Sequence, residues 1–213
     1  MCSDGWLADT RAAYDDAAAT YADRFRDLLD STPYERALLT LFADQVRQAG
    51  GGPVADVGCG AGRIAGFLAE QGVDVFGIDL SPEMIGAARR DHPNIRFDVG
   101  SMTELDLPEA SLAGLLAWYS LIHVPDDEIA HVLARFHHAL RPGGLMLLGF
   151  HVGDDSVLRT KGVDGAAIRV HVHRRQPDRV AAWLQQAGFT VESTTTLTSG
   201  ESSLGAVLFA HRS

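Results

Sequence analysis

Lysine is almost missing from this chain of 213 residues. Of its 18 basic residues only Lys161 is a lysine, and 28 acids leave a net charge of −10. No basic run appears. A protein that tracks phosphate backbones carries a basic patch or stripe, so no nucleic-acid partner is expected. The pairs Arg89-Arg90 and Arg174-Arg175 stand isolated in the sequence and read as solvated surface. Cysteine is as scarce: Cys2 and Cys59 form neither a disulfide framework nor a zinc set. No stretch of eighteen apolar residues exists, which excludes a membrane-spanning helix. Asp4, Asp9, Asp15 and Asp16 exclude a secretory apolar core near the start. The expectation is a cytoplasmic protein with no membrane partner. Repeats and low-complexity tracts are also absent. What remains is 46% hydrophobic and 22% charged, a globular composition. The length suits one domain with a core of its own.

Residues 6–29 alternate Ala with Asp and Arg, and Tyr14, Tyr21, Phe25 and Leu28 recur at helical spacing. One or two amphipathic helices are expected there. Pro33 suits the first turn of the next helix, which Gly50-Gly51-Gly52-Pro53 ends. Strand-like runs follow at 54–57, 73–78, 95–99, 112–119 and 145–150, with helical runs at 63–71, 82–91 and 126–140. Short apolar strands alternating with amphipathic helices predict an α/β fold, a doubly wound and mostly parallel sheet with helices on both faces. Residues 152–167 are polar and Gly-rich and read as a loop or lid. Residues 168–173 alternate as a strand, 177–187 form a helix, and 189–196 with 204–210 form a hairpin across residues 199–203. The domain reading is a single unit: N-terminal helices and lid at 1–50, a core at 51–151, and a lid loop, helix and hairpin at 152–213.

The strongest local signal is Asp56-Val57-Gly58-Cys59-Gly60-Ala61-Gly62-Arg63. A buried strand enters a glycine-rich turn, whose backbone approaches a ligand closely, and then a helix. The next strand ends at Asp79, seventeen residues after Gly62. An acid at that carboxyl end is placed for ribose hydroxyls, so turn and acid together define a nucleoside site. Dinucleotide enzymes use G-x-G-x-x-G, whereas here the third glycine comes one residue early and Arg63 fills its slot. Asp56, inside the strand, would crowd a pyrophosphate but suits an ammonium group. S-adenosylmethionine (SAM) has an ammonium and a ribose and no phosphate.

The chain thereby resembles the class I SAM-dependent methyltransferases over nearly its whole length. Residues 56–62 look like that family's first motif. Ile78-Asp79-Leu80-Ser81-Pro82-Glu83-Met84 looks like its second-strand motif, where the acid takes the ribose and Leu80 and Met84 contact adenine. Leu140-Arg141-Pro142-Gly143-Gly144 resembles the turn before the fifth strand. The terminal hairpin fits a seven-stranded sheet whose last strand is antiparallel. Tyr14-Asp15 and Tyr21 resemble the N-terminal helical lid that folds over the cofactor. Gly100-Ser101-Met102 departs from the family's Gly-Asp, which puts the adenine contact on the Ser101 hydroxyl or the backbone there. Leu112-Ala113 stands where Phe-Asp is common.

The resemblance implies SAM as methyl donor and S-adenosylhomocysteine (SAH) as product. The fourth strand runs into Trp118-Tyr119-Ser120-Leu121-Ile122-His123, at the sheet edge where such folds place ligands. His123 is the proposed general base or acceptor-orienting residue, against a structural histidine bonded to a loop carbonyl. Trp118 is assigned to the cofactor wall, and Tyr14, Tyr119 and His151 to the acceptor. His171 and His173 read as an exposed strand face, and no metal site is expected. No Asn/Asp-Pro-Pro-aromatic segment follows the fourth strand, a single lysine cannot build a Lys-Asp-Lys-Glu tetrad, and neither cysteine follows a proline. A small-molecule acceptor methylated on O or N is left. The rival readings are a nicotinamide-dependent oxidoreductase and a non-catalytic SAM-binding module. Arginine in place of lysine, with Ala-rich helices, points to a high-GC bacterial source. Either a monomer or a homodimer fits.

Overall fold

A computed structural model describes residues 5–162, 165, 167–199 and 203–213. Cys2 and the turn residues 200–202 lie outside the described residues. Helices α1 (Gly5–Phe25), α2 (Leu28–Ser31) and α3 (Pro33–Gln48) precede β1 (Val54–Val57), α4 (Arg63–Glu70), β2 (Val75–Asp79), α5 (Pro82–Asp91) and β3 (Arg96–Val99). Then come β4 (Leu112–Trp118), α6 (Ile129–Ala139), β5 (Leu140–His151), β6 (Ser156–Lys161), β7 (Ala167–His173), α7 (Pro177–Gln186), β8 (Phe189–Ser199) and β9 (Ser203–Arg212).

Seven strands form one sheet in the order β3-β2-β1-β4-β5-β9-β8. The first five are parallel, and β9 runs antiparallel to both neighbours. The core follows from strand periodicity, because successive side chains point to opposite faces. Ala55, Val57, Leu115, Ala117, Met146 and Leu148 pack on one side with α6 and α7. Val54, Leu116, Leu145 and Leu147 pack on the other with α3, α4 and α5. Strand order reverses between β1 and β4, and the crevice at their carboxyl ends is where open α/β sheets hold ligands.

Helix α1 crosses above that crevice. Its buried face is made of small residues, Thr10, Ala13, Ala17, Ala18 and Ala22. Asp15 fastens it to the start of α5, accepting from the Ser81 hydroxyl at 2.5 Å and the Glu83 amide at 3.3 Å. Arg11 Nε donates to the Leu80 carbonyl at 3.2 Å. The expected loop at 152–167 is corrected: residues 156–161 are β6, paired antiparallel with β7 in a separate two-stranded sheet. Its strand character was hidden because five of its six side chains face solvent and supply no apolar alternation. Among the described residues, no helix is long and apolar enough to cross a membrane.

Candidate active site

One cavity of about 770 Å³ lies under α1 at the carboxyl edge of the sheet. Every residue nominated from the sequence lines it except Met84. Met84 is corrected: it sits in the first turn of α5, its side chain is fully buried, and its amide donates to the Ser81 hydroxyl that caps the helix.

The glycine turn is tightly held. Gly58 has φ +78°, and a Cβ there would lie 2.2 Å from the Ser120 Cβ. The Gly58 and Cys59 amides both donate to the Ile78 carbonyl, at 2.7 and 3.1 Å. The Cys59 thiol is buried, and burial raises its pKa well above the ordinary value, so it is an inert filler of the turn.

Asp79 sits where the sequence places it. Its Oδ2 accepts from the Gly60 amide at 2.7 Å and its Oδ1 from the Ser81 amide at 2.9 Å. Burial raises its pKa, against the lowering effect of those two amides. Leu80 follows at the cavity rim. Asp56 is the sharper observation: it is 1% exposed, and neither carboxylate oxygen has a hydrogen-bond partner. Burial, and then the nearby Asp79 charge, push its pKa up to about 7, with Arg63 and the nearby Ala65 amide opposing. A buried acid without partners is costly unless something meets it. Arg63, which the sequence reading treated only as a displaced glycine, lines the same cavity from the first turn of α4. Its Nη1 is buried without a partner, and burial lowers its pKa. An orphaned carboxylate beside an orphaned guanidinium complements a zwitterionic amino-acid head group, and Asp79 lies beyond it for a ribose. The residues present therefore fit SAM.

Ser101 lines the cavity. Its hydroxyl is 2.7 Å from the Thr103 hydroxyl and accepts from the Thr103 amide, capping a short turn over Met102–Glu104. With Thr103 donating to it, the Ser101 hydroxyl keeps its own proton for a contact toward the cavity.

At the other end, Tyr14 Oη and His123 Nε2 are 2.8 Å apart, and His123 Nδ1 is 2.8 Å from the His171 carbonyl. The carbonyl can only accept, so Nδ1 carries the proton and Nε2 receives the Tyr14 O–H. Burial foremost lowers the His123 pKa to about 4, and burial raises that of Tyr14, so both groups are neutral at pH 7. Tyr14 also packs edge-on against Tyr21, with ring centroids 6.0 Å apart. Tyr119 directly follows β4 with φ 52°, a left-handed conformation rare outside glycine. Its ring stands 5.0 Å from that of His151, and burial pushes its pKa up to about 12. Trp118 is 6% exposed and its indole N–H is unpartnered.

A second residue missed from the sequence is Arg175. The reading of Arg174-Arg175 as solvated surface is corrected, since Arg175 is 2% exposed. Its guanidinium donates to the Leu121 and Val124 carbonyls and to Asp126 Oδ1, bracing the segment that carries His123. Nothing local distinguishes it from its exposed neighbour Arg174. Its partners lie about fifty residues away. His171 and His173 stack on the hairpin, and among the described residues no His, Cys, Asp or Glu cluster could hold a metal.

Fold and site together define a doubly wound α/β protein with a cavity whose residues fit SAM. Residues 54–144 match the methyltransferase domain family. A ubiquinone biosynthesis O-methyltransferase of Xylella fastidiosa is 33% identical over 162 residues, covering 67% of this chain and 62% of that protein. The chain spans less than two thirds of the length of the curated relatives it matches. A solved complex of DhpI with SAH is 25% identical, covers 97% of this chain and 98% of that one, and has a TM-score of 0.75. The Burkholderia thailandensis 1,6-didemethyltoxoflavin-N1-methyltransferase, solved with its acceptor and SAH, covers 100% and 91% at 24% identity and TM-score 0.73. Residues 54–144 are thus a methyltransferase domain, and the solved proteins that share the fold include complexes with SAM and with SAH. The nicotinamide reading is thereby set aside.

Proposed function

We propose that this protein transfers a methyl group from SAM to an oxygen or nitrogen of a small-molecule metabolite, releasing SAH. The observation that carries this is the Asp56–Arg63 pair of orphaned charges sharing one cavity with the Tyr14–His123 hydrogen bond. When bound, SAM supplies an electrophilic methyl on a sulfonium, and transfer is an in-line displacement. Asp56 holds the ammonium group, Arg63 the carboxylate, and Asp79 the ribose hydroxyls. Tyr21 and Trp118 wall the cofactor, while Tyr119 and His151 wall the acceptor. Helix α1 excludes water. His123, neutral with its Nε2 lone pair turned to Tyr14, accepts a proton from the acceptor directly or through the Tyr14 hydroxyl. Its imidazolium form would be steadied by the His171 carbonyl. The proposal is completed by one cytoplasmic domain, monomeric or dimeric, with no nucleic-acid partner.

Two results test it. SAH release is measured over a panel of small hydroxyl and amine acceptors. His123→Ala is expected to lower turnover by roughly 10²–10⁴-fold while sparing SAH binding. At saturating SAM the pH–kcat profile should show no step near the ordinary histidine value, with kcat falling only as pH drops toward 4. Full activity in His123→Ala would leave a non-catalytic role for that residue.

The second test uses Asp56. In the free protein this acid stays protonated to about pH 7, whereas binding an ammonium needs the carboxylate. SAH affinity should therefore rise between pH 5.5 and 7.5 by up to about tenfold per unit below the pKa. Close to one proton should be released at pH 6, read by calorimetry in buffers of different ionisation enthalpy. Asp56→Asn should abolish the release. Stability runs the opposite way with pH: the native state holds a proton that the unfolded chain loses, so Asp56 costs stability as pH rises through about 4 to 7.

A further inference from the structure

Charge is segregated around the cavity. The carboxylates that line it, Glu35, Asp56, Glu70 and Asp79 among them, come from the elements around the cofactor cradle. The opposite end is enclosed by the first half of α1, the ends of β4 and β5, and the β6–β7 hairpin. Its ionisable lining there is Arg11, Arg159, Lys161, His151, His123, Tyr14 and Tyr119, with no carboxylate among the described residues.

The hairpin register makes the arrangement specific. Val157 lies opposite Val172, and Arg159 opposite Val170. Directly opposed residues share a face, so Arg159 stands in the row whose Val170 and Val172 are buried against the cavity. Arg159 and Lys161 are exposed to solvent yet line the pocket, so they stand at its open edge. Other arginines of this region find acids: Arg169 pairs with Asp9 at 3.3 Å and Arg174 with Asp155 at 3.8 Å. Arg159 and Lys161, the chain's one lysine, pair with no acid among the described residues. The Arg159 charge is felt across the acceptor end: after burial, it helps hold both His151 and His123 below their ordinary values. A protein of net charge −10 repels anions at long range, so a local cluster of cations at one pocket end is selective rather than incidental.

We infer that the methyl acceptor is an anion, a small molecule bearing a carboxylate or phosphoryl group that seats on Arg159 and Lys161. The inference rests on the methyl-transfer reading above and names the substrate class for it. Arg159 offers paired N–H donors that match either oxyanion, and Lys161 adds a point charge. Trp6, Trp118, Tyr119 and Val170 supply an apolar wall for the body of the molecule.

The test is calorimetry on SAH-saturated protein with four ring-matched probes: benzoate, phenylphosphate, benzamide and benzylamine. At least one anion is expected to bind, with the amide and amine at least about tenfold weaker. The double variant R159A/K161A should weaken anion binding about tenfold or more and leave SAH affinity within threefold, which also reports that the fold is intact. Preference for phenylphosphate or for benzoate assigns the phosphoryl or the carboxylate source. SAH binding with no anion binding, equal binding of benzamide or benzylamine, or anion binding unchanged in the double variant would each overturn the inference alone. Failure of SAH itself to bind would overturn the methyl-transfer reading and this inference with it.

Discussion

Arg175→Ala is expected to lower stability by about 3 kcal/mol and to cripple turnover while leaving SAH binding in place. The buried guanidinium serves two main-chain carbonyls, Leu121 and Val124, and removing it orphans both. Each orphaned buried acceptor costs roughly 1–3 kcal/mol. Asp126 adds little, because it is 42% exposed and keeps Arg179 at 2.8 Å. For a chain of this size, about 3 kcal/mol corresponds to a fall in melting temperature of roughly 6–12 °C. The loosened segment carries His123, so kcat should fall more than the acceptor KM rises. Arg175→Lys should recover only part of the loss, since one ammonium cannot reach three acceptors splayed around a planar fork. A melting temperature within 2 °C of the parent would show that the loop holds itself.

The same residue marks a boundary of what sequence alone discloses. Local signals were sufficient for the sheet and its helices. A glycine run after a buried strand, proline at the first turn of α3 and α5, and alternating apolar strands each act within a few residues. Features built by distant contact were not legible. Arg175 looks like Arg174 until the chain closes fifty residues of loop. β6 is defined by pairing with β7 rather than by its own pattern. Arg63 reads as an irregular glycine slot until Asp56 is found beside it without partners.

The site divides along the same line. Asp79, Gly58 and Gly60 follow from the strand–turn–helix geometry, which is local. Which proton sits on His123 follows from Tyr14, 109 residues before it, and His171, 48 residues after it. A general-base candidate and a histidine bonded to a carbonyl were alternatives in the sequence. In the fold the same imidazole makes the carbonyl bond with one nitrogen and offers a lone pair with the other. Met84 went the opposite way, because helix α5 absorbs it as core.

Asp79→Ala should weaken SAH by about 2–4 kcal/mol, roughly 30- to 1000-fold in Kd, from the loss of charge-assisted bonds to two ribose hydroxyls. The variant should nonetheless fold. Burial already raises the Asp79 pKa, and Asp56 feels its charge, so the free protein gains on the electrostatic side what it loses in the Gly60 and Ser81 amide bonds. The result separates binding from folding. In the parent, SAH at a hundred times Kd adds about 2.7 kcal/mol, which should raise the melting temperature by roughly 5–10 °C. In Asp79→Ala the same SAH concentration should raise it by less than about 4 °C, from an unliganded value close to the parent's. Asp79→Asn should bind nearly as poorly: it keeps one acceptor, but its amide N–H₂ faces donors that the carboxylate accepted from. An SAH Kd within threefold of the parent in Asp79→Ala would remove this acid from the ribose and leave it only as a brace for the glycine turn. Asp56 and Arg63 would then have to hold the cofactor by its amino-acid end alone.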